Sequence, residues 1–309
     1  MTVPSWLDRS QVQGRAVGVG SLRLGAYVLL ADPAYIEQSI RSLYAIVERV
    51  VVVFDQDGLS WTKRPIPVDR CLSLVRELDT QGKVELCPGN FHDTGLAPLE
   101  AETLQRNTGI RALGDDVDWV IQIDTDEVFG NPSRFVESIA RAEAHGMSAV
   151  AFPARWLYGH VRKREFLERC RRMWGISASY PGPVAVKAAT ELRLARQCDV
   201  PTWRADFRFR NTDPAHPRDV PVDEIVGPDD GIWHFSWIRS EAEMRAKAVS
   251  SGHVNEFDWT REIDRWLVRR RHPRLTTLLT PMRRSPATVG GPTWLRSAEV
   301  PERVLAIDP

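Results

Sequence analysis

Sulfur is scarce in this chain. Its four cysteines, Cys71, Cys87, Cys170 and Cys198, form no Cys-x-x-Cys pair and show no zinc-like spacing. That argues against a disulfide framework and for reduced thiols. Long apolar runs are missing as well. No stretch reaches the roughly 18 residues that would span a bilayer, and the N-terminus lacks a basic-then-apolar signal segment. A cytoplasmic location with no transmembrane segment is therefore expected. Net charge is missing too, because 41 basic residues balance 41 acidic ones. A dedicated nucleic-acid binder would be strongly basic, so none is expected as a partner. There is no internal repeat.

What is present is alternation of strands and helices. Gly25 to Ala31 reads as a first strand, and Asp32-Pro33 as the cap and first position of a helix with Ile36, Ile40, Leu43, Tyr44 and Val47 on one face. Val50 to Phe54 is a second strand, Asp69 to Thr80 a helix stopped at Gly82, and Val84 to Cys87 a third strand. Pro98 to Leu113 is helical, with Leu99, Thr103, Leu104, Ile110 and Leu113 expected inside. The helix Pro132 to Ala144 and the strand Met147 to Phe152 continue the rhythm. The spacing implies an α/β fold with a mostly parallel sheet and right-handed crossovers. Residues 156–230 break the pattern, being rich in Trp, Arg and Pro. They read as binding loops, with short strand-like pieces such as Val184 to Lys187. Order returns at Gly231 to Trp237. A helix comes next with a Ser240–Glu243 capping box and an expected Glu243–Lys247 pair, then a helix from Asp258 to Arg271 and an irregular tail. Two segments are basic, Arg155 to Arg172 and Arg261 to Arg284, the latter with eight arginines. Solvated helix faces explain such runs, as would an anionic surface.

The richest stretch is Asp118-Trp-Val-Ile-Gln-Ile-Asp-Thr-Asp-Glu127. A buried apolar strand ends there in Asp124, Asp126 and Glu127, in the crevice where open α/β sheets bind ligands. Asp124 and Asp126 are two apart, so a regular strand would point both the same way. Like charges so close repel unless a cation such as Mn2+ or Mg2+ lies between them, and a diphosphate is the matching ligand. The plainer alternative is a solvated turn in which Asp126 or Glu127 caps the next element.

Asp55 ends the second strand similarly. It can accept hydrogen bonds from a nucleotide base, or it can organise the turn before Asp57-Gly58. His234, between Trp233 and Phe235, is a candidate metal ligand or a satisfied core histidine. Lys247 and His253 are candidate phosphate partners, each with a helix-face or helix-end alternative.

Asp55, the helix with Glu102 and Gln105-Arg106-Asn107, and Asp124-Thr125-Asp126-Glu127 resemble glycosyltransferase family 2 and its GT-A relatives. His234-Phe235-Ser236-Trp237, Lys247 and Gly252-His253 resemble a later block of such proteins, and more distantly the β-1,4-N-acetylglucosaminyltransferases of family 17. The resemblance covers residues 25–155 and 231–257, and 156–230 matches nothing. It implies a GT-A, Rossmann-like sheet flanked by helices, with an irregular acceptor-binding insertion and C-terminal helices. By that reading residues 1–24 are an extension, 25–257 the transferase domain (25–155 for the nucleotide sugar, 156–257 for the acceptor) and 258–309 a C-terminal helix and tail.

The implied activity is transfer of a sugar, of hexosyltransferase type, from a nucleotide-diphosphate sugar. Asp126, with His234 and Asp124, would hold Mn2+ or Mg2+, and Asp55, Arg106, Asp124, Lys247 and His253 would bind the donor. In the family the base is an acid before the metal-binding histidine. Asp206, Asp223 and Glu224 are candidates, Asp229-Asp230 another, and retention or inversion stays open. Trp156, Tyr158, Trp174 and Trp203 are candidates for stacking on an acceptor, and the nearby arginines would suit an anionic one.

Two rivals remain. A haloacid-dehalogenase-like Mg-dependent phosphatase also ends a buried strand in Asp-x-Asp, but on its first strand and with a Thr where this chain has Val128. The other is a non-catalytic sugar-nucleotide or carbohydrate-binding protein, which eleven tryptophans would suit.

Overall fold

A computed structural model of the chain describes residues 22–256, 258–279 and 294–305. Most of the expected N-terminal extension and part of the expected tail therefore lie outside the described residues. The strands β1 (Leu24–Leu29), β2 (Arg49–Asp55) and β4 (Trp119–Asp124) are almost wholly buried. Their near-continuous apolar sequence is what a sheet covered on both faces requires. Alternate side chains divide between the two sides. Ala26, Val28, Val50 and Val52 face helices α1 (Ile36–Tyr44) and α2 (Val68–Leu78) in one cluster, and Tyr27, Val51 and Val53 face α3 (Pro98–Leu113) in another.

β1 lies between β2 and β4, parallel to both, with Leu29 level with Val53 and with Asp124. Parallel pairing brings the C-terminal ends to one edge, so Asp55 and Asp124 leave the sheet on the same side. With β3 (Val84–Gly89), β6 (Ala149–Ala151), β9 (Ala185–Lys187), β10 (Thr202–Asp206) and β11 (Glu224–Ile225), they form an eight-stranded sheet in the order β11-β10-β6-β9-β4-β1-β2-β3. It is parallel except for β9, which runs against β4 and β6. The mixed α/β class with a mostly parallel sheet flanked by helices is the expected one. Helix α4 (Pro132–Ala144) adds Phe135 and Ile139 to the larger core.

Beyond the acids the chain enters a second sheet. β5 (Glu127–Phe129), β7 (Ala154–Arg162), β8 (Glu165–Arg169), β12 (Ile232–His234) and β13 (Leu295–Glu299) pair in the order β13-β8-β7-β12-β5. Glu127, His234 and Trp156 are level across it. Helices α5 (Glu241–Ser250) and α6 (Trp259–Arg271) pack on it through Met244, Ala248, Ile263 and Trp266 against Tyr158, Leu167 and Trp237. α7 (Pro273–Leu279) and α8 (Glu302–Leu305) complete the described chain.

Three local expectations need correction. α1 begins at Ile36, because Asp32 turns the chain by accepting from the Ala34 amide at 2.9 Å and pairs with Arg239 instead of capping a helix. α3 buries Glu102, Gln105, Arg106 and Asn107, while Leu99 and Leu104 are only half-buried, since its inner side faces a polar site as well as the sheet. The part of 156–230 expected to be irregular opens instead with the β7–β8 hairpin.

Candidate active site

A cleft of about 850 Å³ opens at the sheet edge where the acids emerge, walled by both sheets and by α3, α5 and α6. The strand breaks at Asp124, so Asp124 and Asp126 do not point at one spot as a regular strand would have them. Asp124 Oδ1 accepts from Arg106 at 2.9 Å and its Oδ2 lies 2.8 Å from Arg196. Arg106 is oriented by two bonds to Glu102, and Arg196 by Glu127 at 2.5 Å. Asp126 has separate partners: its Oδ2 accepts from Lys247 at 2.7 Å and Arg239 at 3.0 Å, and its Oδ1 lies 3.3 Å from His234 Nε2. Burial alone would raise both acids. Arg106 and Arg196 hold Asp124 below the usual carboxylate range, and Lys247, His234 and Arg239 hold Asp126 well below it.

The Asp126 pair suits a divalent ion. A separation of 3.3 Å between Oδ1 and Nε2 is close to the roughly 3 Å between adjacent ligands of an octahedral ion with bonds of about 2.1 Å. Oδ2 already answers two cationic side chains, so the protein offers two ligand atoms here and leaves the remaining positions to phosphate and water. Asp124, with both oxygens engaged by arginines, stands apart from this pair. Among the described residues the three-membered group compact enough for an ion is Asp55, Asp57 and His92. Asp55 there is taken up by turn-making: it accepts from the amides of Asp57, Leu59, Phe91 and His92 and pairs with His92 Nδ1 at 2.9 Å. It does not line the cleft, contrary to the expectation that it faces a base.

Arg106, Lys247, His234 and His253 do line the cleft. Lys247 reaches Asp126, so the expected pair with Glu243 does not form, and Glu243 closes the capping box with Ser240. Of the four aromatics expected at an acceptor, Trp156 alone lines the cleft, and its buried Nε1–H has no partner among the described residues. Tyr158 is core, stacked on Trp237 at 5.3 Å, and Trp203 is buried with its Nε1 donating to Glu224. Trp174 is exposed outside the cleft, with its Nε1 donating to Thr277 O.

The expected base candidates are elsewhere. Asp206 is fully buried and accepts from Thr212 and the Phe207 amide. Asp223 accepts from the Arg204 amide at 2.8 Å, and Glu224 is held by Arg134 and Arg141. Asp229 pairs with Arg155, and Asp230 accepts from Asn131. Each is taken up by the fold.

Several cleft residues were not singled out from the sequence. Arg196 and Arg239 are almost wholly buried against acids 69 and 113 residues away along the chain. Among the described residues Arg106 Nη1 and Arg196 Nε are buried without a hydrogen-bond partner. Glu262 on α6 accepts from Arg265 at 2.7 Å through Oε1, whereas its buried Oε2 has no hydrogen-bond partner among the described residues. Burial pushes its pKa up. Trp259, one turn earlier, also faces the cleft, stacked on Trp237 at 6.1 Å.

No protein-family model matches the chain, and no curated protein matches it. Among solved structures, 4-diphosphocytidyl-2C-methyl-D-erythritol synthase from Anaerococcus prevotii aligns with 55% of this chain and 72% of its own, at 13% identity and a TM-score of 0.34. A mannosyltransferase from Pyrobaculum calidifontis, in complex with GDP-Man and Mn2+, aligns with 43% of this chain and 36% of its own, at 18% identity and 0.33. Glucosyl-3-phosphoglycerate synthase from Mycobacterium tuberculosis, in complex with Mn2+, UDP and phosphoglyceric acid, gives 46%, 44%, 14% and 0.29 in the same order. The chain thus spans less than half the length of either transferase. Likeness at this level says nothing about chemistry.

Proposed function

We propose that this chain is a glycosyltransferase of GT-A type that uses Mn2+ or Mg2+ to move a sugar from a nucleoside-diphosphate sugar to an acceptor hydroxyl. The observation that carries the reading is the Asp126 Oδ1–His234 Nε2 pair, 3.3 Å apart on the wall of a cleft large enough for a nucleotide sugar. These two residues would hold the ion, which stabilises charge on the departing diphosphate. The unpartnered N–H groups of Arg106 and Arg196 suit phosphate oxygens, and the fixed acids around them keep both guanidinium groups in place. Lys247, bound to Asp126 Oδ2, holds that carboxylate with Oδ1 toward His234.

On the acceptor side, Trp156 and Trp259 give faces for a sugar ring, and the free Nε1–H of Trp156 suits a hydroxyl. Glu262 Oε2 takes the acceptor proton as the acceptor oxygen bonds to the anomeric carbon and the carbon–phosphate-oxygen bond breaks. A base on that side implies single displacement with inversion. Incubation with a panel of nucleoside-diphosphate sugars and Mn2+ tests the reading. It predicts metal-dependent release of a nucleoside diphosphate. Release of inorganic phosphate instead would favour the phosphatase, and no release from any donor would favour a binding protein.

A further inference from the structure

The short helix α7 is built inside out. Leu275, Leu278 and Leu279 share one face at the i, i+3, i+4 spacing, and all three are more than half exposed. The side toward the protein carries Thr276, which is buried with its hydroxyl donating to Arg269 O at 3.0 Å. A helix of a lone soluble protein would turn those sides the other way. The neighbouring turn does the same. Met173 and Trp174 are exposed although both adopt φ near +60° (58° and 59°), a conformation that bulky L-residues hold only under constraint. Two bonds supply the constraint: Trp174 Nε1 donates to Thr277 O at 2.9 Å, and Arg296 donates to Trp174 O at 3.1 Å. The indole is thereby fixed against α7.

The two segments that form this face carry charge of one sign. Arg172, Arg271 and Arg274 are exposed, and no acid occurs in residues 169–175 or 269–279. A second copy docked by a two-fold axis through this face would bring the same arginines together. A nucleic-acid backbone would satisfy the arginines and leave the leucines in water. An anionic bilayer meets both needs, with acyl chains for the leucines, the headgroup level for the indole and lipid phosphates for the guanidinium groups.

We propose that the face formed by α7 and the Met173–Trp174 turn docks the protein peripherally on an anionic lipid bilayer. This stands independently of the sugar-transfer reading.

Co-sedimentation of the full chain with sucrose-loaded vesicles tests it, using phosphatidylcholine alone and phosphatidylcholine mixed with phosphatidylglycerol. The full chain should pellet with the mixed vesicles and stay in solution with the neutral ones. Leu278→Ser combined with Leu279→Ser should lower the partition coefficient by about tenfold or more. Arg271→Ser and Arg274→Ser should each lower it by about fivefold. The substituted positions are exposed, so the melting transitions should match the parent's. Three results would overturn the proposal: no pelleting with anionic vesicles, undiminished pelleting of the double leucine variant, or a dimer in solution that this variant dissociates.

Discussion

Glu262 and Asp126 are buried acids with opposite histories, and their variants should behave oppositely. Burial raises Glu262, so keeping it ionised above the ordinary carboxylate range costs the folded chain stability. Glu262→Gln should therefore melt at or above the parent's temperature at pH 7, with the difference closing as pH falls toward about 4, where the parent's acid is protonated as well. Its transfer rate should drop by about 10²- to 10⁴-fold while donor affinity holds. Full transfer activity would remove Glu262 from the chemistry. Asp126 is held well below the usual range, once burial is outweighed by Lys247, His234 and Arg239. The stability it contributes is complete above about pH 4 and is lost as pH falls through the folded value. Asp126→Asn leaves Arg239 and Lys247 without that charge, so it should destabilise at pH 7 by up to about 3–5 kcal/mol. That deficit should shrink in acid, as pH-dependent thermal melts would show. A deficit unchanged down to strongly acidic pH would mean the carboxylate's charge is not what holds these cations.

At the level of elements, α3 shows how packing overrides propensity. Gly109 lies mid-helix, where alanine would gain about 1 kcal/mol of helix propensity. A Cβ there would stand 2.7 Å from the Tyr27 ring and 3.1 Å from Val53. Overpacking of this kind costs about 1–3 kcal/mol, so Gly109→Ala should lower the melting temperature, and a rise would show that the α3–β1 contact yields. The same helix marks the limit of what the sequence discloses. β1, β2, β4, α4 and the capping box of α5 follow from apolar period and cap residues, and the structure has them close to the expected bounds. The inner side of α3 followed only at Thr103, Ile110 and Leu113, because periodicity counts apolar residues and the rest of this face includes Glu102, Gln105, Arg106 and Asn107. Lys247 misled for a related reason: its i,i−4 neighbour is Glu243, but its partner Asp126 is 121 residues distant. Asp124, Asp126 and His234 were legible as local motifs. Arg196 and Arg239 carry no local signal, and the acids considered as bases were judged by chain position, which says nothing of what they touch.

On the scale of the whole molecule, two sheets meet at the acid cluster, and the second was not readable because β5 and β8 are only three and five residues long and β7 carries an arginine near each end. Their alternation becomes meaningful only once β12 and β13 pair beside them. Among the described residues no helix is long and apolar enough to cross a membrane. All four cysteines are free, and burial pushes the thiols of Cys71 and Cys170 up to about 12. In the folded chain at pH 8 these two should resist alkylation, while the half-buried Cys87 and Cys198 react slowly. Mass spectrometry of the labelled chain checks this, and rapid labelling of Cys71 would contradict the packing of α2 on the sheet. The cleft itself is tested most directly by isothermal titration of the full chain with UDP and with GDP, in Mn2+ and in EDTA. The account predicts that at least one of them binds about tenfold or more tightly with Mn2+, and that His234→Ala removes the difference. Equal affinity in Mn2+ and EDTA for both nucleotides would contradict it.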